Sequence, residues 1–353
     1  MFRLTAQLPG INIISDSAEC LYIYKEGALW EMNKTDLTQR RLIGDVQDCH
    51  PVFTSGNNRI LNCNGSLTVL QPDGTLQIIG GRLFPDVQLG EDLLITDRSQ
   101  RPNQLIRLNA AGKEVWRKDI ALGNQHLIVG DKLYYLRKDS YNVRFNIINR
   151  LSLATGEHDE LIDFDPGYLD KVPDKERYKN AFYYLLMANE EVIVALVNNN
   201  RIVAVDIHTG AVKWEITVVT DAKGHAAVFP FAGPVWGGMF DGKRYVLQGR
   251  AFSYIDPISQ SAVVLQYPLL DNTGRELNVF ASRKEGEQLL YTASVGGKDL
   301  NCIGVFDVHQ EAVIWQEEVP IAPRATLRDA PLAGSRYLFV ADSNNVLYIY
   351  EQG

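Results

Sequence analysis

Several things this 353-residue chain lacks set limits on its function. No run approaches the roughly 20 apolar residues that a membrane helix needs. The opening stretch, MFRLTAQLPGINIISDSAEC, has no basic cluster followed by an unbroken apolar segment, because Asn12, Ser15 and Asp16 interrupt it. It does not read as a signal peptide, so the expected location is cytoplasmic, away from any membrane. Cysteine is scarce: Cys20, Cys49, Cys63 and Cys302 form no adjacent pair and no C-x-x-C, and are expected to be free thiols. Cys49, His50 and Cys63 can be drawn together as ligands, but their spacing fits no zinc pattern. G-x-S-x-G, H-E-x-x-H, the Walker loop and the EF-hand loop are all missing. No catalytic residue, metal or cofactor is therefore assigned, and the chain is read as a non-enzyme. The net charge of −8 excludes the basic surface that non-specific nucleic-acid binding requires, while leaving a basic protein partner open.

What the chain does have is strand-like sequence repeated from end to end. LYIY, RILNC, DLLIT, KLYYL, EVIVALV, RYVLQG, QLLYTA and YLFVAD are rich in β-branched and aromatic residues. Polar turns such as GNNR (56–59), GEDL (90–93), GDKL (130–133) and DGKR (241–244) precede them. A second set of turns follows one strand later, including NKTD (33–36), NAAG (109–112), LATG (153–156), DIHTG (206–210), DPISQ (256–260) and DVHQE (307–311). Helical periodicity surfaces only weakly, around Lys175 to Leu186, where FYYLLM also fits a strand. A period of about 40–50 residues built from about four strands predicts an all-β chain forming one closed β-propeller domain over residues 1–353. Seven repeats and a last partial unit, SRYLFVADSNNVLYIYEQG, predict eight four-stranded blades, with MFRLTAQL supplying the missing outer strand. Seven blades is the alternative, because the unit near Asp256 is degenerate.

The strictest repeat is AVDIHTGAVKW, Ala204 to Trp214. Asp206 can accept backbone N–H bonds across the turn, Gly210 permits positive φ, and Trp214 offers a large flat face opposite the small Ala204. Its Ala-x-Asp-x-x-Thr-Gly-x-x-x-Trp pattern resembles the tryptophan-docking repeat of quinoprotein-type propellers. Weakened copies end at Trp116 and Trp315. The resemblance implies the propeller fold over essentially the whole chain. It does not carry the dehydrogenase activity, since adjacent cysteines and a matching calcium ligand set are absent, and it leaves a non-enzymatic cytoplasmic member of that superfamily.

Propeller topology places the turns just described at one end of each blade and the remaining connections at the other. Those remaining connections are long: 97–104, 138–146, 164–180, 219–236, 269–283, 295–301 and 320–331. Long loops on a rigid scaffold commonly carry function. They hold the candidate partner-binding residues Arg98, Arg101, Tyr141, Arg144, Tyr168, Asp170, Arg177, Tyr178, His225, Phe229, Phe231, Trp236, Arg275, Arg324 and Arg328, a composition typical of protein interfaces. Packing beneath their own loops is the competing reading for Phe229, Phe231 and Trp236. The acidic stretch with Asp163, Asp165, Asp170 and Asp174 reads as a solvated loop sooner than a cation site. His208 and His309 sit in equivalent turns and read as structural.

The expected function is a monomeric, non-catalytic protein-binding propeller, such as a bacterial immunity protein that blocks a toxin. The alternative is an enzyme or small-ligand binder using a central funnel, with His225, Asp170 or Arg144 near its mouth. A third reading is a periplasmic assembly factor.

Overall fold

The computed structural model describes residues 1–46, 53–55, 58–99, 103–120, 122–137, 147–164, 183–197, 200–231, 236–297 and 299–353. Every regular element among them is a β-strand, and no helix among them is long and apolar enough to cross a membrane. The strands form antiparallel four-stranded meanders, numbered here as sheets 1 to 8 with strands a to d. Sheet 1 spans 12–43, sheet 2 53–81, sheet 3 83–118, sheet 4 122–163, sheet 5 183–216, sheet 6 237–266 and sheet 7 277–318. Sheet 8 takes strands a to c from 332–352 and strand d from Phe2–Pro9. The chain divides into two compact units, Met1–Asp119 with Leu270–Gly353, and Ile120–Leu269.

The first unit contains sheets 7, 8, 1, 2 and 3, packed face to face in that order. Leu290, Val305 and Trp315 of sheet 7 meet Leu338, Tyr348 and Tyr350 of sheet 8. The opposite face of sheet 8 sets Phe339, Leu347 and Ile349 against Leu21, Ile23 and Met32 of sheet 1. Sheet 1 then packs on Leu61 and Leu70 of sheet 2, and sheet 2 on Leu93, Ile95 and Ile106 of sheet 3. Sheet 8 gains its fourth strand because the two ends of the chain meet. Phe2 pairs with Gln352 and Pro9 with Val346, and the Gly353 N–H donates to the Met1 carbonyl at 2.9 Å. The expectation that MFRLTAQL completes the last sheet is met in this register.

The second unit contains sheets 4, 5 and 6. Strand b of sheet 5, Val192–Val197, is buried along its whole length. Ile193, Ala195 and Val197 face sheet 4, whereas Val192, Val194 and Leu196 face sheet 6. With apolar neighbours covering both faces, every position of this strand favours an apolar residue, which is why the segment reads as an unbroken apolar run. At strand d, Val212–Ile216, exposure returns and so does polarity.

The repeated turns connect strands c and d. Asp206 accepts the N–H groups of Thr209 at 2.8 Å and His208 at 3.0 Å, together with the Thr209 hydroxyl at 3.0 Å. The Thr209 backbone bond, then its hydroxyl and the His208 N–H, bring the Asp206 carboxyl down to about 2. Asn33, Asp256 and Asp307 repeat the arrangement. The fifth residue of each such turn is left-handed: Gly210 at φ 74°, but Leu37 at 62°, Gln260 at 53° and Glu311 at 52°. The degenerate copies thus keep the backbone and carry its strain, about 1–2 kcal/mol for a residue with a Cβ.

Gly210 has a further reason to lack one. A Cβ there would lie 2.0 Å from the Leu161 carbonyl oxygen of sheet 4. From the same sheet, Arg150 donates to the carbonyls of Ile207 at 3.4 Å and His208 at 3.1 Å. The strict repeat is therefore a fastener between sheets 4 and 5. Trp214 lies opposite Ala204 and packs on the core cluster that sheet 5 shares with sheet 6.

Two long connections are shorter than the sequence suggests. Strand a of sheet 7, Leu277–Glu285, takes up the second half of the expected loop 269–283, because Leu277, Val279 and Ala281 alternate inward while Asn278 and Phe280 face out. In 219–236, Val219–Asp221 pairs in parallel with strand d of sheet 6 and folds back on Ala226–Ala227, extending that sheet outward.

Candidate functional site

Within each sheet the b–c and d–a connections leave at the end opposite the repeated turns. In sheet 6 this end is built around the turn Gln248–Gly249–Arg250. The Leu247 N–H donates to the Trp236 carbonyl at 3.2 Å, and the Trp236 N–H donates to Gln248 Oε1 at 3.4 Å. Gly237 allows this approach, since a Cβ there would meet the Tyr245 carbonyl oxygen at 2.0 Å. On the other side of the turn, the Arg250 carbonyl accepts the Leu269 N–H at 2.7 Å. The Arg250 guanidinium lies 5.6 Å from the centre of the Tyr267 ring. Trp236 is 37% exposed and Tyr267 54%, so an indole, a guanidinium and a phenol stand at one sheet end. Tyr267 and Arg250 were not among the residues expected from sequence. Tyr267 had one usable signal, its place just after the last sheet residue, Gln266, and before Pro268.

The other expected residues divide between surface and core. Phe231 is completely buried, which corrects its assignment to an accessible surface. It packs edge-on to Phe229 with ring centroids 5.3 Å apart, and Phe229 is itself packed against the core of sheets 5 and 6. His225 is exposed at a hairpin tip, where its N–H and Nδ1 both meet the Asp221 carboxylate, at 2.9 and 3.2 Å. The His225 backbone bond is the main force holding Asp221 below its ordinary value.

In the first unit, Arg98 stacks on Phe84 at 4.1 Å. Arg324 is left-handed and exposed. Arg328 donates to Asn345 Oδ1 at 2.6 Å, to the Ser343 carbonyl at 3.3 Å and to Asn12 Oδ1. Arg275 binds Asp271 Oδ2 at 2.9 Å and reaches Glu318 at 3.4 Å. Burial by itself would raise the Asp271 carboxyl, but the Arg275 N–H and the Thr273 hydroxyl and N–H overcome it and hold it well below the usual carboxylate range. Gln316 joins the same carboxylate at 3.2 Å and in turn accepts from the Tyr291 hydroxyl at 3.0 Å. This arginine, in the connection before sheet 7, serves a polar network that reaches Gln316 and Tyr291 on the strands of that sheet.

Arg101, Tyr141, Arg144, Tyr168, Asp170, Arg177 and Tyr178 lie outside the described residues, as do Cys49 and His50. Cys20, Cys63 and Cys302 are free thiols. Burial pushes Cys302 up to about 12, where it is no nucleophile. Among the described residues no three His, Cys, Asp or Glu side chains group as metal ligands.

No protein-family model matches this chain, and no curated protein does. Solved structures do. The computationally designed protein Ika8 superposes with a TM-score of 0.60 at 9% identity, covering 97% of this chain and 96% of its own. Quinohemoprotein alcohol dehydrogenase from Comamonas testosteroni gives 0.57 at 10% identity, over 99% of this chain and 76% of that one. The chain shares the propeller-like all-β fold of these two structures. BamB from Moraxella catarrhalis, at 12% identity and a TM-score of 0.46, covers 99% of this chain and all of its own. At these identities the likeness reaches the fold and stops there, because one such fold hosts unrelated functions.

Proposed function

We propose that this chain is a non-catalytic protein-binding propeller, a single ring of eight blades closed by its first and last strands, which engages a partner through the loop-bearing end of sheet 6. The observation that carries this reading is the exposed Arg250 on the turn between strands b and c, with exposed Trp236 and Tyr267 beside it in the flanking connections and Val228, 68% exposed, in the preceding connection. Tryptophan, tyrosine and arginine are the residue types that dominate binding energy at protein interfaces. Here they are held by backbone hydrogen bonds, which lowers the entropy lost on docking. The net charge of −8 favours a basic partner. The finer role that fits is a monomeric immunity protein in a bacterial cytoplasm, neutralising a toxin by covering it.

The test is a pull-down from the source cell with neighbouring genes expressed, using the native protein and a W236A/R250A/Y267A variant of equal thermal stability. The native protein should recover a defined partner, and the variant should bind it about a hundredfold more weakly, a loss of roughly 2.7 kcal/mol. No partner above background, or equal binding by the variant, rejects the reading.

A further inference from the structure

In the first unit, strand a of sheet 8, Leu332–Ala333, is two residues long, against five in sheet 1 and nine in sheet 7. Beside it, along strand a of sheet 1, opens a cleft of about 330 Å³. Its apolar walls include Ile13, Ile14, Leu332 and Phe339, and its charged groups are Asp16 and Arg283 towards one end and Arg328 and Asp329 towards the other. The Asp16 carboxylate is already taken. The ammonium of Lys34, with a side chain only 5% exposed, donates to it at 3.0 Å, while Arg283 stands 3.8 Å away, beyond hydrogen-bond distance. Arg328 spends its donors on uncharged acceptors, Asn12, Asn345 and the Ser343 carbonyl. Asp329 accepts the N–H of Ala330 at 2.7 Å. Within the cleft Arg283 and Arg328 thus face Asp16 and Asp329, and of the two guanidiniums that of Arg283 makes only the long 3.8 Å ion pair with an Asp16 carboxylate already bonded to Lys34.

We infer that this cleft binds a small organic monocarboxylate, its head on Arg283 and its apolar body against Ile13, Leu332 and Phe339. A guanidinium fork matches a carboxylate in bidentate fashion. The volume lies at the low end of the roughly 300–1,000 Å³ of small-molecule sites, which restricts the body to a few carbons. A dianion would add a second negative charge close to the Asp16 carboxylate, and a cation at this end would meet the Arg283 guanidinium beside an Asp16 already bonded to Lys34.

The experiment compares four probes with the same tail, hexanoate, hexyl phosphate, hexan-1-ol and hexylamine, by calorimetry and by methyl NMR shifts of Ile13, Ile14 and Leu332 in the full chain. Hexanoate should bind saturably, move those methyls, and outrank the other three by about tenfold. The R283M variant should lose about tenfold in hexanoate affinity, and R283K should fall between it and the native protein. If R283M does not fold, A330L decides, because Ala330 is a buried wall residue and a larger side chain there fills the cleft. The inference is overturned by an absence of saturable hexanoate binding, by hexyl phosphate or hexylamine binding as tightly, by shifts confined to other methyls, or by unchanged affinity in R283M or A330L.

Discussion

Strand b of sheet 5, Val192–Val197, buries six apolar side chains and nothing else. Strand b of sheet 7, Gln288–Val295, buries Tyr291 and Thr292 among its leucines and alanine. From Tyr291 the polar chain runs through Gln316 to Asp271 and Arg275. Both strands are the second of a four-stranded meander, yet the forces holding them differ in kind. Sheet 5 rests on non-directional burial, which near-isosteric apolar substitutions leave largely intact. Sheet 7 adds directional bonds whose partners cannot be removed singly without leaving a buried group unsatisfied. Their turns differ in the opposite sense. The apolar sheet has the strict turn, with Gly210 wedged against Leu161, and the polar sheet has the degenerate one, with Glu311 strained in the same left-handed position.

The largest effect that would sharpen this contrast is expected from G210A. The added Cβ meets the Leu161 carbonyl and also suffers a positive φ, so the variant should lose roughly 2–4 kcal/mol in urea unfolding. Relief of less than about 1 kcal/mol on restoring glycine would mean that sheets 4 and 5 are not fastened there.

Next comes D271N, in the connection before sheet 7, expected to cost roughly 1–3 kcal/mol at neutral pH by weakening a buried acceptor. The same residue gives the contrast a pH axis. Its folded carboxyl titrates below the ordinary value of 3.8, so its contribution is complete above about 4 and is lost as the pH falls through the folded value. Thermal unfolding of the native protein should hold steady from pH 7 to about 4 and decline below it, and D271N should decline less. Parallel acid profiles for the two proteins would remove Asp271 from the account. Asp206, down at about 2, titrates over a similar acid window in the sheet 5 turn. A D206N variant serves as the comparison that separates turn from network.

The smallest effect is a gain. Glycine is free in the left-handed region where Glu311 is strained, so E311G should stabilise the protein by about 1 kcal/mol, visible as a rise in midpoint with an unchanged slope.

The same contrast explains what could be read from sequence. EVIVALV is legible because apolar neighbours cover both of its faces and every residue from Val192 to Val197 is apolar, and the Asp206 turn because its side chain and Gly210 have few substitutes. The part of Leu277–Glu285 inside the expected loop 269–283 is hard to read because its inward residues, Leu277, Val279 and Ala281, are separated by Asn278 and by Phe280, which is 57% exposed, and that hides the alternation. Asp271 lies within the expected loop 269–283, and nothing local marks its partner Gln316, 45 positions away. At the candidate surface, Trp236 stood out as a rare residue in a long connection, but Arg250 lay in a turn of ordinary composition. Only folding brings its guanidinium over Tyr267.

The pairing of Phe2–Pro9 with Val346–Gln352 also has a consequence for biosynthesis. On the ribosome, the first strand emerges hundreds of residues before its partner exists. Until then Phe2 and Leu4, which pack against the cluster shared by sheets 7 and 8, have nothing to cover them. A nascent or prematurely terminated chain therefore carries an unmatched strand with an apolar face, the kind of species that chaperones hold and proteases clear.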